Sequence, residues 1–184
     1  MAPSEPPGLR IARVGPADLS AFKSLRDEGL RLHPEAFDAD LDLEQSRPPE
    51  SYIGRLGLSE PLGGTFLIGA WLGNDMVGMV GLERHSLPKL RHSAELSSMM
   101  VRPTHGGKGI GRRLIDECLA QARTAVGLEL ITLRVSTANR GAVQLYERAG
   151  FRACGVVPHA VRLLGPSGQV TYVDRLTMAL LIKA

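Results

Sequence analysis

The chain has 184 residues, of which 43% are hydrophobic and 22% charged, so it has the composition of one globular domain and not of a disordered protein. Two cysteines are too few for a disulfide framework, and no apolar run is long enough to span a membrane, so we expect a cytoplasmic protein. Residues 1–100 carry 10 basic and 14 acidic side chains, whereas residues 101–184 carry 12 and 5. Because no basic block or basic–aromatic alternation occurs, we expect the basic half to bind a small anion and not nucleic acid.

The predicted elements follow the apolar periodicity of the chain and its interruptions by proline and glycine. Residues 1–8 predict a disordered tail, and 9–184 predict a single domain. In chain order we expect a strand (9–14), a helix (16–32), an acidic connection (34–50) leading into a short helix (to 58), strands at 65–71, 76–84 and 94–101, a helix (110–127), a strand (129–135), a helix (139–149) and strands at 151–157 and 170–182. The order β-α-α-β-β-β-α-β-α-β-β predicts a mixed α/β (α+β) fold, and Gly73-Asn74-Asp75 predicts a hairpin turn within it.

The most informative segment is V-R-P-T-H-G-G-K-G-I-G-R-R-L, which begins at Val101. A predicted strand enters a glycine-rich turn that opens a helix, so several backbone N–H groups converge at the positive end of the helix dipole and suit a diphosphate. Lys108 is followed by Gly109, whereas a Walker A loop requires Ser or Thr there, and Arg112 replaces the third glycine of a dinucleotide-binding fingerprint. A flexible glycine turn without a ligand is the other interpretation.

A second motif, N-R-G-A-V-Q-L-Y-E-R-A-G-F, covers residues 139–151. Together the two segments resemble the GNAT superfamily of acetyl-CoA-dependent N-acetyltransferases, whose motifs read V-x-P-x-x-[RQ]-G-x-G-[IA]-[GA] and N-x-x-A-x-x-L-Y-x-x-x-G-F. The resemblance extends over about 9–182 and departs at Gly106, where the family usually has Arg or Gln. This departure removes a side-chain contact but no backbone donor. The resemblance implies a mostly antiparallel central sheet flanked by helices, with acetyl-CoA as co-substrate.

The resemblance also implies which residues hold the co-substrate. Backbone N–H groups of 107–112 would bind the pyrophosphate, and the strand edge before the loop would pair with the pantetheine arm. The implied cofactor-binding residues are Met99, Met100, Val101, Gly107, Lys108, Gly109, Ile110, Gly111, Arg112, Asn139 and Tyr146. Asn139 as a helix N-cap and Tyr146 as a packing residue are alternatives. We expect no metal ligand set.

Acetyl transfer from a thioester to an amine requires a neutral amine and a protonated or stabilised thiolate. By resemblance, Tyr146 would act as general acid. Glu95 lies six residues before Val101, as does the catalytic glutamate of the histone-acetylating branch, and is the candidate base; a surface ion pair is the alternative. Arg134 stands where the ribosomal-protein branch has a glutamate, so that mechanism is not available unchanged. On a strand without a bulge, alternate residues from Glu95 to Val101 would share one face.

Acidic residues are concentrated in the region that would recognise the acceptor, at Glu35, Asp38, Asp40, Asp42, Glu44 and Glu50. An acidic rim would attract a cationic amine, and a solvated acidic loop is the alternative. We therefore expect an N-acetyltransferase for a primary amine of a small molecule or peptide, with no nucleic-acid or membrane partner and a homodimer left open. The alternative is a degenerate GNAT fold that binds coenzyme A or a protein partner without catalysis.

Overall fold

The computed structural model describes residues 6–165 and 167–183, so most of the predicted N-terminal tail, residues 1–5, lies outside it. The strands are β1 (Leu9–Arg13), β2 (Phe66–Leu72), β3 (Asp75–Arg84), β4 (Ser93–Val101), β5 (Leu130–Ser136), β6 (Arg152–Leu164) and β7 (Val170–Leu181). The α-helices are α1 (Leu19–Leu32), α2 (Leu41–Gln45), α3 (Ile110–Thr124) and α4 (Arg140–Arg148), and 3₁₀ helices cover Pro16–Asp18, Pro34–Ala36, Pro49–Leu56 and Pro103–His105. The seven strands form one sheet in the order β1-β2-β3-β4-β5-β7-β6, antiparallel except for β4 and β5.

The predicted order and the mixed, mostly antiparallel sheet are confirmed, with two local corrections. The second predicted helix is a 3₁₀ helix, Pro49–Leu56, and the connection before it contains α2, which Asp40 caps by accepting hydrogen bonds from the N–H groups of Asp42 and Leu43. Strand β6 continues to Leu164, beyond the predicted end at 157, because β7 pairs with it across a bulge. The predicted hairpin is a two-residue turn in which Gly73 has φ 58°.

Helices cover both faces of the sheet and enclose two apolar clusters. Helix α3 packs Ile110, Leu114, Cys118 and Ala122 against one face, as their spacing predicts, so Cys118 is a core residue. On the other face, α1 and the 3₁₀ helix Pro49–Leu56 surround a second cluster. Strands β3 and β4 therefore contact α1 on one side and α3 on the other.

The sheet opens between β4 and β5. These strands pair in parallel at only three positions, the last being Glu95 with Thr132. Beyond it β5 continues to pair with β7, while β4 continues to Val101 without a neighbour on that side. At about 3.3 Å per residue, roughly 20 Å of strand edge lies along this gap.

Candidate functional site

The direction of the β4 backbone groups shows which residues face the gap. The N–H of Arg102 donates to the carbonyl of Val77 in β3 at 2.8 Å, and Met100 pairs with Met79, also in β3. Because backbone groups alternate sides along an antiparallel strand, Met99 and Val101 direct theirs into the gap. The geometry therefore supports Met99 and Val101 as partners of an extended ligand. The expectation for Met100 is corrected: its backbone faces β3, and its side chain is buried against α1.

The glycine loop lies at the end of this edge and leads directly into α3. Gly107 and Gly109 have φ values of 72° and 77°, a conformation that side-chain-bearing residues rarely adopt, whereas Gly106 has φ −61°. The first helical hydrogen bond runs from the N–H of Arg113 to Gly109. Within the described residues, the six N–H groups of 107–112 donate to no protein acceptor. This run of free donors at a helix N-terminus matches the requirement of a diphosphate.

The side chains of the loop contribute less than its backbone. Lys108 donates to the carbonyl of Thr104, and Ile110 is buried in the core. Arg112 is bound to Asp116 at 2.8 Å, and this hydrogen bond raises the pKa of the guanidinium and outweighs the slight burial that lowers it. Lys108, Ile110 and Arg112 can therefore contact a ligand mainly through their backbone N–H groups.

Helix α4 places the second motif beside the same gap. Asn139 is the N-cap, and its Oδ1 accepts from the N–H of Ala142 at 3.0 Å, so only its amide nitrogen is free for a ligand. Tyr146 is 6% exposed and packs edge-on against Phe151. Burial, with a smaller contribution from Cys118, raises the pKa of Tyr146, so the phenol keeps its proton. Its hydroxyl has no hydrogen-bond partner in the described part of the chain.

A cavity of about 770 Å³ lies on the opposite face of the sheet, between α1, the connection after it and strands β3, β4 and β5. Its ionisable lining residues are Arg26, Asp38, Arg47, Tyr52, Arg55, Glu83, Arg84, His85, Glu95, Arg134 and Arg175. Glu95 therefore lies in the cavity, whereas Tyr146 is buried on the α3 side. The two predicted catalytic residues therefore lie on opposite faces of the sheet, at the gap between β4 and β5.

An ion-pair network joins the two strands where the gap begins. The Oε1 atom of Glu95 accepts from Nε and Nη2 of Arg134 at 3.1 and 3.0 Å. Arg134 also binds Asp38, which in turn accepts from the buried Arg175 of β7. The hydrogen bond to Glu95 raises the pKa of Arg134 and outweighs the partial burial that lowers it. The Oε2 atom of Glu95 accepts no hydrogen bond from any described residue, so it is available to a substrate or water.

A bulge changes the expected alternation along β4. Gly81 pairs with Ser97 and Met79 with Met100, so two residues of β4 face one of β3, and Ser98 adopts φ 53°. Ser97 and Ser98 consequently both direct their hydroxyls to the cavity face, whereas Met99 and Val101 pack toward α3. Glu95 and Val101 do not share a face.

The expected acidic rim is also corrected. Glu44 is buried, Asp40 caps α2, and Asp38 is paired with two arginines. Arginines dominate the lining instead, and no local motif indicated them because they come from elements far apart in the chain. Arg26 and Arg55 are the functional candidates that sequence reasoning missed.

Comparison with known proteins identifies the family. The sequence profile of the acetyltransferase (GNAT) family matches residues 24–151. The chain belongs to the GNAT family. Within the described residues of this GNAT chain, no group of three or more His, Cys, Asp or Glu side chains is arranged to hold a metal ion, and no helix is both long and apolar enough to cross a membrane.

Two curated relatives illustrate the similarity at sequence level. Mycothiol acetyltransferase of Salinispora tropica is 32% identical over 146 residues, which are 78% of this chain and 44% of that protein. N-alpha-acetyltransferase RimI of Mycobacterium tuberculosis is 35% identical over 99 residues, 53% of this chain and 59% of the relative. This GNAT chain thus spans about half the length of the curated relatives it matches.

Solved structures show the same fold. The chain resembles yncA of Salmonella typhimurium, solved with its cofactor acetyl-CoA, at a TM-score of 0.80 and 20% identity, over 96% of this chain and 95% of that one. It also resembles spermidine N-acetyltransferase of Vibrio cholerae, solved with CoA and spermine, at a TM-score of 0.71 and 22% identity, over 95% of each chain.

Proposed function

We propose that this protein is an N-acetyltransferase that moves an acetyl group from acetyl-CoA to a primary amine of a small molecule or peptide. The observation that carries the proposal is the opening of β4 from β5, which leaves an unpaired strand edge leading to six free N–H groups. An extended arm with a diphosphate at one end matches both parts of this surface. The relatives are named mycothiol acetyltransferase, N-alpha-acetyltransferase and spermidine N(1)-acetyltransferase, which supports an amine of a small molecule or peptide as acceptor.

The proposed arrangement assigns one step to each side of the gap. The amine nitrogen attacks the thioester carbonyl carbon from the cavity, and the C–S bond breaks as the new C–N bond forms. Glu95 accepts the amine proton at Oε2, directly or through water. Tyr146 donates its proton to the departing thiolate from the α3 side. No hydrogen bond of the described residues involves its hydroxyl, and this oxygen is not fully buried, so it can make that contact.

Ligand-induced stabilisation tests the loop. Acetyl-CoA at a hundredfold excess over its Kd should stabilise the fold by about 2.7 kcal/mol. Gly109→Val should abolish the thermal shift, because a β-branched residue at φ 77° distorts the run of donors. Gly106→Ala is the control, since φ −61° is an ordinary backbone conformation and the added methyl group meets only the carbonyl oxygen of Pro103, at 3.2 Å. ATP is the comparison ligand for a nucleotide-binding loop of another kind. An unchanged shift in folded Gly109→Val would contradict the assignment.

A degenerate GNAT fold that binds coenzyme A without turnover is the second candidate. Two observations favour it: Glu95 is held by Arg134, and Tyr146 is outside the acceptor cavity. Thiol release from acetyl-CoA with a panel of amines separates the candidates. Amine-dependent release supports the enzyme, whereas binding of acetyl-CoA with no release for any amine supports the degenerate fold.

A further inference from the structure

Two arginines converge on the floor of the acceptor cavity. Arg26 of α1 and Arg55 of the 3₁₀ helix each donate to the hydroxyl oxygen of Ser98 at 3.1 Å, and Arg55 also donates to Ser97 at 2.7 Å. The bulge at Ser98, with its left-handed backbone, places both hydroxyls on this face. We call these four residues the arginine centre. Such a cluster of guanidinium and hydroxyl groups has the geometry of an anion site.

The arginine centre lacks enough negative charge of its own. Arg26 shares the buried carboxylate of Glu44 with Arg47 and Tyr52. Burial alone would raise the pKa of Glu44, but the hydrogen bonds from Tyr52 and the two arginines outweigh it and lower the pKa to about 2. One carboxylate thus serves two guanidinium groups.

Arg55 has a still weaker counter-charge. Its side chain is 20% exposed, and the carboxylate that it reaches, Glu83, is 3.6 Å away and 59% exposed. Burial, and then repulsion by Arg26, lower the pKa of Arg55. Holding a largely buried guanidinium with two hydroxyls and one exposed carboxylate at 3.6 Å costs free energy that an incoming anion would offset.

The cavity as a whole has the same imbalance. Five arginines of its lining contact four carboxylates, those of Asp38, Glu44, Glu83 and Glu95. Arg84 contacts none of these carboxylates, because backbone carbonyls, including those of Leu62 and Val126, accept its hydrogen bonds. The five guanidinium groups therefore exceed the four carboxylates by one positive charge inside the cavity.

The carboxylates of Glu83 and Glu95 lie on the same face as the arginine centre, nearer the end of the gap where β4 and β5 pair. Glu83 and Glu95 are paired across β3 and β4, and Ser97 and Ser98 follow Glu95 by two and three residues. This spacing corresponds to about 7–10 Å along a strand. A small molecule with an amine at one end and an anion at the other can reach both.

We propose that the arginine centre binds a carboxylate or phosphate of the acceptor, so that this protein acetylates amines that also carry a negative charge. The inference rests on the acetyl transfer proposed above. It replaces the cationic acceptor suggested by the acidic connection with an acceptor whose charge complements Arg26 and Arg55.

Matched acceptors test the charge requirement. Hexylamine is compared with 6-aminohexanoate, and 4-aminobutanol with 4-aminobutyl phosphate, so that each anionic group stands far enough from the amine to reach the arginine centre and the two pairs distinguish a carboxylate from a phosphate. We expect the anionic member of at least one pair to have a kcat/KM at least tenfold higher. Arg55→Met should raise the KM for that acceptor roughly 10- to 100-fold, the value of a hydrogen bond to a charged group. The KM for acetyl-CoA should not change.

Two further variants keep the test interpretable. Arg123→Met makes the same charge change on the exposed end of α3 and should leave the preference intact. Arg55→Lys keeps the charge without the planar fork and should retain part of the preference, which covers a failure of Arg55→Met to fold. Calorimetric titration of the CoA-loaded protein with the same acceptors measures binding without turnover.

Three outcomes would overturn the inference. In each pair, a preference for the amine without the carboxylate or phosphate, unchanged by Arg55→Met, would overturn the inference but leave the proposed acetyl transfer intact. So would an Arg55-dependent preference for succinyl-CoA over acetyl-CoA, because the centre would then bind the acyl group. Absence of transfer to every amine, together with absence of calorimetric binding of the anionic acceptors, would overturn both the inference and the proposed function.

Discussion

Removing one hydroxyl separates the catalytic role of Tyr146 from a packing role. Tyr146→Phe keeps the ring that packs against Phe151 and removes a group that bonds to no described residue. Because no protein hydrogen bond is lost, the free energy of unfolding should change by less than about 1 kcal/mol. If the hydroxyl protonates the thiolate, kcat should fall on the order of 10²–10⁴-fold, the usual effect of losing a general acid. Some rate should survive, because coenzyme A thiolate is a tolerable leaving group near neutral pH.

The measurements are kcat by thiol release, acetyl-CoA affinity by calorimetry and stability by urea unfolding. Tyr52→Phe provides the contrast, because its hydroxyl donates to the buried Glu44 and its loss should destabilise the fold by roughly 1.5–3 kcal/mol. Full activity in a stable Tyr146→Phe protein would refute the general-acid role and leave Tyr146 as a packing residue. Lost activity with weakened acetyl-CoA binding would refute it too, because the hydroxyl would then serve binding.

Two predictions concern Glu95 in the cavity and the buried Glu44, which contacts the lining residues Arg26 and Tyr52. Glu95→Gln should depress turnover most at low pH, where free amine is scarcest, and leave acetyl-CoA binding intact; an unchanged pH–rate profile would leave Glu95 only its ion pair with Arg134. Because the pKa of Glu44 is lowered from 4.5 to about 2, its contribution to stability is present above pH 4.5 and is lost as the pH falls toward 2. Between pH 6 and pH 3 the wild-type protein should lose roughly 2 kcal/mol that Glu44→Gln does not lose, as measured by urea unfolding; equal losses would contradict the buried ion pair.

Local signals explain why the strand edge and glycine loop of the candidate site could be predicted from the sequence. The glycine-rich turn leads into α3 as predicted, and the periodicity of α3 correctly predicted its buried face. The resemblance of the two motifs predicted the family that the profile match confirms. Each of these signals lies within about fifteen consecutive residues.

The acceptor cavity could not be predicted in the same way, because its contacts are distant in sequence. Arg26 reaches Ser98 across 72 positions, and Arg175 reaches Asp38 across 137. The acidic connection suggested an acidic rim because the sequence alone does not show that its carboxylates pair with arginines distant in the chain. The bulge at Ser98 depends on how β3 pairs with β4, which alternation within β4 alone does not encode.

The opening between β4 and β5 also divides the sheet mechanically. Strands β1–β4 and β5–β7 are joined through only three residue pairs, and one of these, Glu95 with Thr132, stands at the apex. An extended molecule bound to Met99 and Val101 would act as an additional strand between the two halves. The free energy of binding would then also oppose their separation, so that occupancy of the gap and cooperativity of the sheet would rise together.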